Sequence, residues 1–141
     1  MVVEIKGIGE VPFCHTTPRG DEEILTAATP DDWLREILYE VDQDQIVCGH
    51  LHIQYDRRLD GKRVINAGSV GMPYQSESVG AFWLLLDGNV KFRRSRYDLR
   101  RAFGEFRATG YLAAGDTAKI LLEPPDSEWV ADFFERQVGR D

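Results

Sequence analysis

Apolar positions along this chain follow two periods, and the change from one to the other outlines the fold. Residues 2–6 and 10–14 are two β-rich runs around Gly7-Ile8-Gly9, which predicts a hairpin entered almost at the first residue. Thr16-Thr17-Pro18-Arg19-Gly20-Asp21 carries the punctuation of a loop, and residues 22–28 read either as a short helical turn or as part of a longer loop. Trp33, Leu34, Ile37, Leu38 and Val41 then recur at helical spacing, so this segment lays one apolar face on a sheet. Thr29-Pro30-Asp31-Asp32 starts the helix, with Thr29 as N-cap, Pro30 at the first helical position and the aspartates at the positive end of the dipole. The helix is expected to end near Asp42. After a short connection, Ile46-Val47-Cys48 form an uninterrupted apolar run, the pattern of a short buried strand over residues 45–48. Strand, crossover helix and strand in this order favour neighbouring parallel strands.

Further on, residues 54–59 and 62–65 flank Asp60-Gly61, a strong short hairpin signal. A loop of small residues follows, Asn66-Ala67-Gly68-Ser69-Val70-Gly71-Met72-Pro73. Residues 80–86 are a nearly continuous apolar strand, and Asp87-Gly88 turns it into residues 89–97, where Val90 and Phe92 alternate with polar residues. The remainder reads as helical: 98–108 with Leu99, Ala102, Phe103 and Phe106 on one face, then 111–122, ended by Pro124-Pro125, then a last helix from Ser127 to Phe134.

The length is that of one domain, and the apolar and charged fractions, 43% and 29%, are those of a globular chain and not of a disordered one. A net charge of −7 argues against nucleic-acid binding and against anionic membrane surfaces, although Arg93-Arg94-Ser95-Arg96 with Arg100-Arg101 is a local basic exception, read as solvated charge on an edge strand and the helix after it. No apolar run approaches the roughly 20 residues of a membrane span, and no signal segment opens the chain. Two cysteines in strand-like settings read as buried thiols, which fits a cytoplasmic location.

The chemistry-bearing residues are few. All three histidines sit at or just past the ends of strand-like segments: His15 after Val11-Pro12-Phe13-Cys14, and His50 and His52 after Ile46-Val47-Cys48-Gly49. In an extended segment His50 and His52 present their imidazoles to one point. If the backbone turns after Gly49, they splay apart and can serve two neighbouring ions. Neutral imidazole is the commonest metal ligand, and it suits zinc, iron, nickel and manganese. A histidine at each of these places can equally be an ordinary hydrogen-bonded polar residue. The loop Asn66-Ala67-Gly68-Ser69 offers closely spaced backbone N–H groups as an anion cradle, or else is a tight turn that needs small residues.

Gly49-His50-Leu51-His52, followed by a hairpin and then by residues 66–73, resembles the C-terminal half of the calcineurin-like metallophosphoesterases, in particular their small bacterial and archaeal phosphodiesterase branch. Residues 13–18, Phe13-Cys14-His15-Thr16-Thr17-Pro18, resemble the strand and loop that precede those motifs. The match covers residues 2–97, leaving 98–141 as a helical C-terminal extension that packs on the domain, dimerises through Trp129, Phe133 and Phe134, or closes over the site. The resemblance implies an α/β (α+β) fold, a β-sandwich flanked by helices, with a centre for two divalent metals (Mn, Fe, Zn or Ni). It implies that His15 and His50 bind one ion and His52 the other, that the metals polarise a phosphomono- or phosphodiester and activate a water, and that Asn66, Gly68 and Ser69 belong to the floor of the substrate site. Arg19, just after His15, has a guanidinium fork suited to a phosphate contact, and a surface ion pair is its other use.

The family's N-terminal half supplies a D-x-H motif, a G-D motif with a bridging aspartate and a G-N-H motif, and none of these stands in this sequence. Gly20-Asp21 and Gly115-Asp116 lack a preceding apolar strand, and Gly88-Asn89 lies in a hairpin turn. Without a bridging aspartate, two divalent ions a few ångströms apart repel with little anionic compensation. No catalytic residue is therefore assigned within the chain, and alone it is expected to be inactive. It is a piece of such an enzyme, a subunit of a split enzyme completed by an N-terminal polypeptide or a second copy, or a non-catalytic binding domain derived from the fold. The partner, if the site is completed, is a small phosphoester.

Overall fold

The computed structural model describes residues 1–138. Two short strands, β1 (Val2–Ile5) and β2 (Gly9–Pro12), form the opening hairpin, antiparallel with Val3 opposite Val11. The chain then continues alongside β3 (Gln45–Cys48): Phe13 bridges Val47 in parallel, and Cys14 N donates to Val47 O at 3.1 Å. The parallel neighbour expected across the crossover is thus present, but it forms just beyond β2 and not along it. Residues 14–30 make the long connection and contain no helix, so the segment 22–28 is a loop.

Helix α1 (Asp31–Ile37) buries Leu34 and Ile37 and carries Asp31 and Asp32 in its first turn. Both expected ends need correction. Pro30 stands at the N-cap with extended ψ 143, without a side-chain cap bond, so Thr29 lies outside the helix. The Thr29 hydroxyl instead accepts from Thr26 N at 2.9 Å and donates to Glu135 Oε1 at 2.6 Å. At the other end the helix stops at Ile37, with Leu38 as C-cap, and does not reach Asp42. The reason is a long-range partner: the Lys62 ammonium collects the carbonyls of Val41, Asp42 and Gln43 at 2.7, 2.9 and 3.2 Å. An ammonium has three donors to place, and a bent, non-helical connection offers it three free carbonyls.

Strands β4 (Gln54–Leu59) and β5 (Lys62–Ala67) form the predicted hairpin, with Asp60 and Gly61 both at positive φ (47° and 84°), as a two-residue primed turn requires. Strand β5 also pairs in parallel with β3, giving the sheet order β3-β5-β4. This sheet is buried on both faces, which explains the unbroken apolar run. Ile46, Cys48 and Val64 face α1 and pack with Leu25, Leu34, Ile37, Leu38 and Tyr55. Val47 and Ile65 face the other way, toward Val11, Ile5, Phe13, Leu84 and Leu86. Alternate residues of one strand therefore serve two cores. The second core is closed by the hairpin of β6 (Ala81–Leu86) and β7 (Val90–Ser95), with Leu84 opposite Phe92.

Three helices complete the described chain: α2 (Leu99–Arg107), α3 (Ala114–Leu122) and α4 (Ser127–Gln137). Asp98 and Asp126 cap α2 and α4, accepting from Arg101 N and Trp129 N at 3.0 and 2.8 Å. Helix α3 starts one turn later than its apolar pattern suggested, because Gly110 adopts φ 75° and Ala114 N closes a turn on Tyr111 O. Helix α4 is tied to the loop before α1 by Glu135, whose Oε1 accepts from the hydroxyls of both Thr26 and Thr29 at 2.6 Å. Trp129 and Phe133 stack at 5.5 Å and stay largely outside. The last part of the extension, residues 139–141, lies outside the described residues. No described helix is long and apolar enough to cross a membrane.

Candidate metal centre

The ends of β3 and β5, together with the segment beside β3, bring the singled-out residues to one rim of the central sheet. Gly49 N donates to His15 O at 2.9 Å, which fixes the His15 segment against the end of β3. The chain then reverses sharply. Leu51 N donates to Gly49 O at 2.8 Å across His50, whose φ is 66°. A three-residue turn with a central residue at positive φ is a rare and strained γ-turn. His52 is left-handed as well, with φ 59°. Of the two courses open to the chain, it takes the turn after Gly49, and the strain is carried by the residues that bear the imidazoles.

Asn66, fully buried, holds this turn from below. Its Nδ2 donates to Gly49 O at 2.5 Å, and its Oδ1 accepts from Gly68 N at 2.9 Å. One side chain therefore links the histidine loop to the small-residue loop. Gly68 adopts φ 79°, and a Cβ there would lie 2.6 Å from Gln54 Cγ and 3.0 Å from Phe82 Cβ, so the position needs glycine for space as well as for conformation. Ser69 Oγ accepts from Met72 N at 3.0 Å, Phe82 N donates to Ser69 O at 3.0 Å, and Tyr74 N donates to His52 O at 3.1 Å. Asn66 and Ala67 end β5, Gly68 and Ser69 continue from it in a course fixed by these bonds, and the Gly68 N–H is turned inward to Asn66.

The imidazoles of His15 and His50 meet: His15 Nε2 and His50 Nδ1 are 2.9 Å apart, with the rings edge to face. The His52 ring packs on Tyr74 at 5.0 Å, and its Nδ1 is buried with no hydrogen-bond partner. Burial first, then the neighbouring His15, hold His50 below the ordinary imidazole pKa. Burial is also the first cause that holds His52 down, with a Met72 backbone bond working the other way and His50 and His15 adding to the depression. Both shifts favour the neutral imidazole, the form that donates a lone pair to a metal.

The residues fit a divalent cation in part. Two ligand nitrogens, each about 2.1 Å from one ion and at right angles to each other, lie about 3.0 Å apart, whereas tetrahedral ligands lie about 3.4 Å apart. The 2.9 Å between His15 Nε2 and His50 Nδ1 is a ring-to-ring hydrogen bond, and it is close to the spacing of two ligands at right angles on one ion. The orphaned His52 Nδ1 is a second donor in need of a partner. The three do not close on one point: among the described residues no group of three or more His, Cys, Asp or Glu side chains is arranged to hold a metal ion.

Arg19 is engaged elsewhere. Its guanidinium pairs with Glu23 and, at 3.1 Å, with Glu36, and it lies over the Trp33 ring at 5.3 Å. Its charge is thus compensated by two carboxylates, and the salt-bridge use is the one seen. The thiols of Cys14 and Cys48 are free, and burial pushes them up to about 11 and about 12. Reading by element had no way to find the Asn66–Gly49 bond, since nothing in the local sequence reports a contact 17 residues away.

The fold has solved counterparts. A hypothetical protein from Pyrococcus horikoshii OT3 superposes with a TM-score of 0.72 at 23% identity, over 89% of this chain and 50% of that one. A metallophosphoesterase from Sphaerobacter thermophilus superposes with a TM-score of 0.62 at 19% identity, over 81% of this chain and 55% of that one. The chain spans about half the length of these proteins. At these identities the likeness establishes the fold, a metallophosphoesterase-like α+β arrangement. No protein-family model matches the chain, and no curated protein does.

Proposed function

We propose that this chain carries the histidine side of a dinuclear metal centre in a phosphoesterase of the calcineurin-like type, corresponding to the C-terminal half of such a domain. The observation that carries this reading is the 2.9 Å approach of His15 Nε2 to His50 Nδ1, beside the buried, unpartnered His52 Nδ1. In the proposal His15 and His50 bind one ion and His52 faces the other. Divalent ions held there supply Lewis acidity toward a phosphoryl oxygen and acidify a water. Asn66 acts as a positioning residue, since it holds the carbonyl of the residue before His50. Carboxylate ligands, which the described histidines lack around them, come from polypeptide beyond these residues or from a second chain, and without them turnover is not expected.

A non-catalytic domain of the same fold is the second reading, favoured by the want of a donor group of three or more among the described residues. The test is metal content by elemental analysis, with hydrolysis of an aryl phosphodiester measured with Mn²⁺, alone and with a polypeptide supplying the D-x-H, G-D and G-N-H motifs. Metal uptake lost on His15→Ala and His50→Ala, with turnover only in the mixture, supports the proposal. No uptake by the unsubstituted chain and no turnover in the mixture supports the non-catalytic domain.

A further inference from the structure

A groove opens directly beside His52, with a volume of about 640 Å³, and its walls are apolar. It is lined by His52, Ser69 and Met72, by Tyr97, and by Ala102, Phe106 and Leu121 from α2 and α3. No Lys, Arg, Asp or Glu side chain lines it. The volume is that of a small-molecule site, open enough for a ring system to enter.

We infer that this groove takes the alcohol portion of the phosphoester and selects an aromatic one, the phosphoryl group lying toward the histidines; this rests on the metal-centre reading above. A sugar or a second phosphate would set its hydroxyls or charge against a wall made mostly of apolar groups, with only His52, Ser69 and Tyr97 to bond it, which costs free energy. An aryl group loses no hydrogen bonds there. It gains ring contacts with Phe106 and Tyr97 and a thioether contact with Met72. Helices α2 and α3 thus supply one wall of a subsite, in addition to whatever cover they give the sheet.

The test is calorimetric titration of the full chain with 1-naphthylphosphonate and with methylphosphonate, each with and without an equimolar amount of Zn²⁺. The naphthyl compound is expected to bind at least about tenfold tighter, the order that burial of a ring system gives. Ala102→Phe, which fills the groove, is expected to bring the two phosphonates within about threefold of each other. Phe106→Ser, which wets the groove, gives a second readout and is expected to weaken the naphthyl compound alone. Equal binding of the two by the unsubstituted chain, or binding of neither, overturns the inference. Zinc binding without naphthyl preference removes the groove and leaves the metal centre. Naphthyl preference without zinc binding removes the metal centre and leaves the groove.

Discussion

Asn66 Nδ2 donates to the Gly49 carbonyl at 2.5 Å, although 17 residues separate the two in sequence. The same carbonyl receives the Leu51 N–H that closes the strained turn at His50. The position of His50 therefore depends on a fully buried amide in the next strand. Asn66→Ala leaves the Gly49 carbonyl and the Gly68 N–H each short of a partner. It is expected to destabilise the fold by about 2 kcal/mol in urea unfolding. Zinc affinity of the folded variant is expected to fall about 10- to 100-fold, as for other residues that orient a ligand. An unchanged zinc affinity would separate Asn66 from the histidines.

Gly68 and Gly61 both adopt positive φ, 79° and 84°, but only Gly68 is crowded. Gly61→Ala meets open space and incurs the backbone cost alone, about 1 kcal/mol. Gly68→Ala adds a collision with Gln54, whose Nε2 is bonded to Ala67 O and Trp83 O at 3.1 Å each. Its loss in urea unfolding is expected to be larger, about 2 kcal/mol or more. Equal losses would contradict the packing drawn here.

Helix α4 is held by Glu135 through two buried threonine hydroxyls. Glu135→Ala removes the acceptor of both hydroxyl protons, each hydroxyl keeping one backbone N–H, and is expected to cost about 1–3 kcal/mol. Amide exchange in α4 is expected to accelerate more than in β3 or β5, and equal acceleration throughout would contradict a local anchor.

Asp56 and Arg63 pair diagonally across β4 and β5, with Arg63 Nε and Nη2 on the two carboxylate oxygens at 2.9 and 2.6 Å. The hydrogen bond from Arg63 is the first cause that lowers the Asp56 pKa. A lowered carboxylate pKa gives stability that is full above the unfolded value of about 3.9 and is lost as pH falls through the folded value. The urea midpoint of the unsubstituted chain is expected to drop between pH 5 and pH 3 by more than that of Arg63→Gln. Parallel curves would exclude the pair as a contributor.

The thiols give a check on burial. With Cys14 at about 11 and Cys48 at about 12, the thiolate fraction at pH 8 is small. Alkylation by iodoacetamide at pH 8 is expected to be slow for both in the native chain, slower for Cys48, and fast in 6 M urea.

Much of this architecture is visible in local sequence. Asp60-Gly61 announces its hairpin, Ile46-Val47-Cys48 its buried strand, and the segments from Asp98 and Ser127 two helices, because turn chemistry and period are properties of neighbouring residues. The histidine spacing marks His15, His50 and His52 before any coordinates are known. What is not visible is set by distant partners. Lys62 shortens α1 by gathering three carbonyls, Glu135 takes Thr29 away from the N-cap, and Glu23 with Glu36 occupies Arg19. His50 and His52, left-handed in the turn after Gly49, are likewise held by the Asn66 amide and the Tyr74 N–H, bonds that the local sequence does not report.

A metal centre on this chain requires that the histidines bind a cation together. Titration of the metal-free chain with Co²⁺, followed by its visible ligand-field absorption, tests this without any need for turnover. Saturable absorption is expected, lost in His15→Ala and in His50→Ala and persisting, altered, in His52→Ala, all three variants retaining the native circular dichroism. No saturable absorption in the unsubstituted chain, or an identical titration in the His15→Ala, His50→Ala double variant, would contradict it.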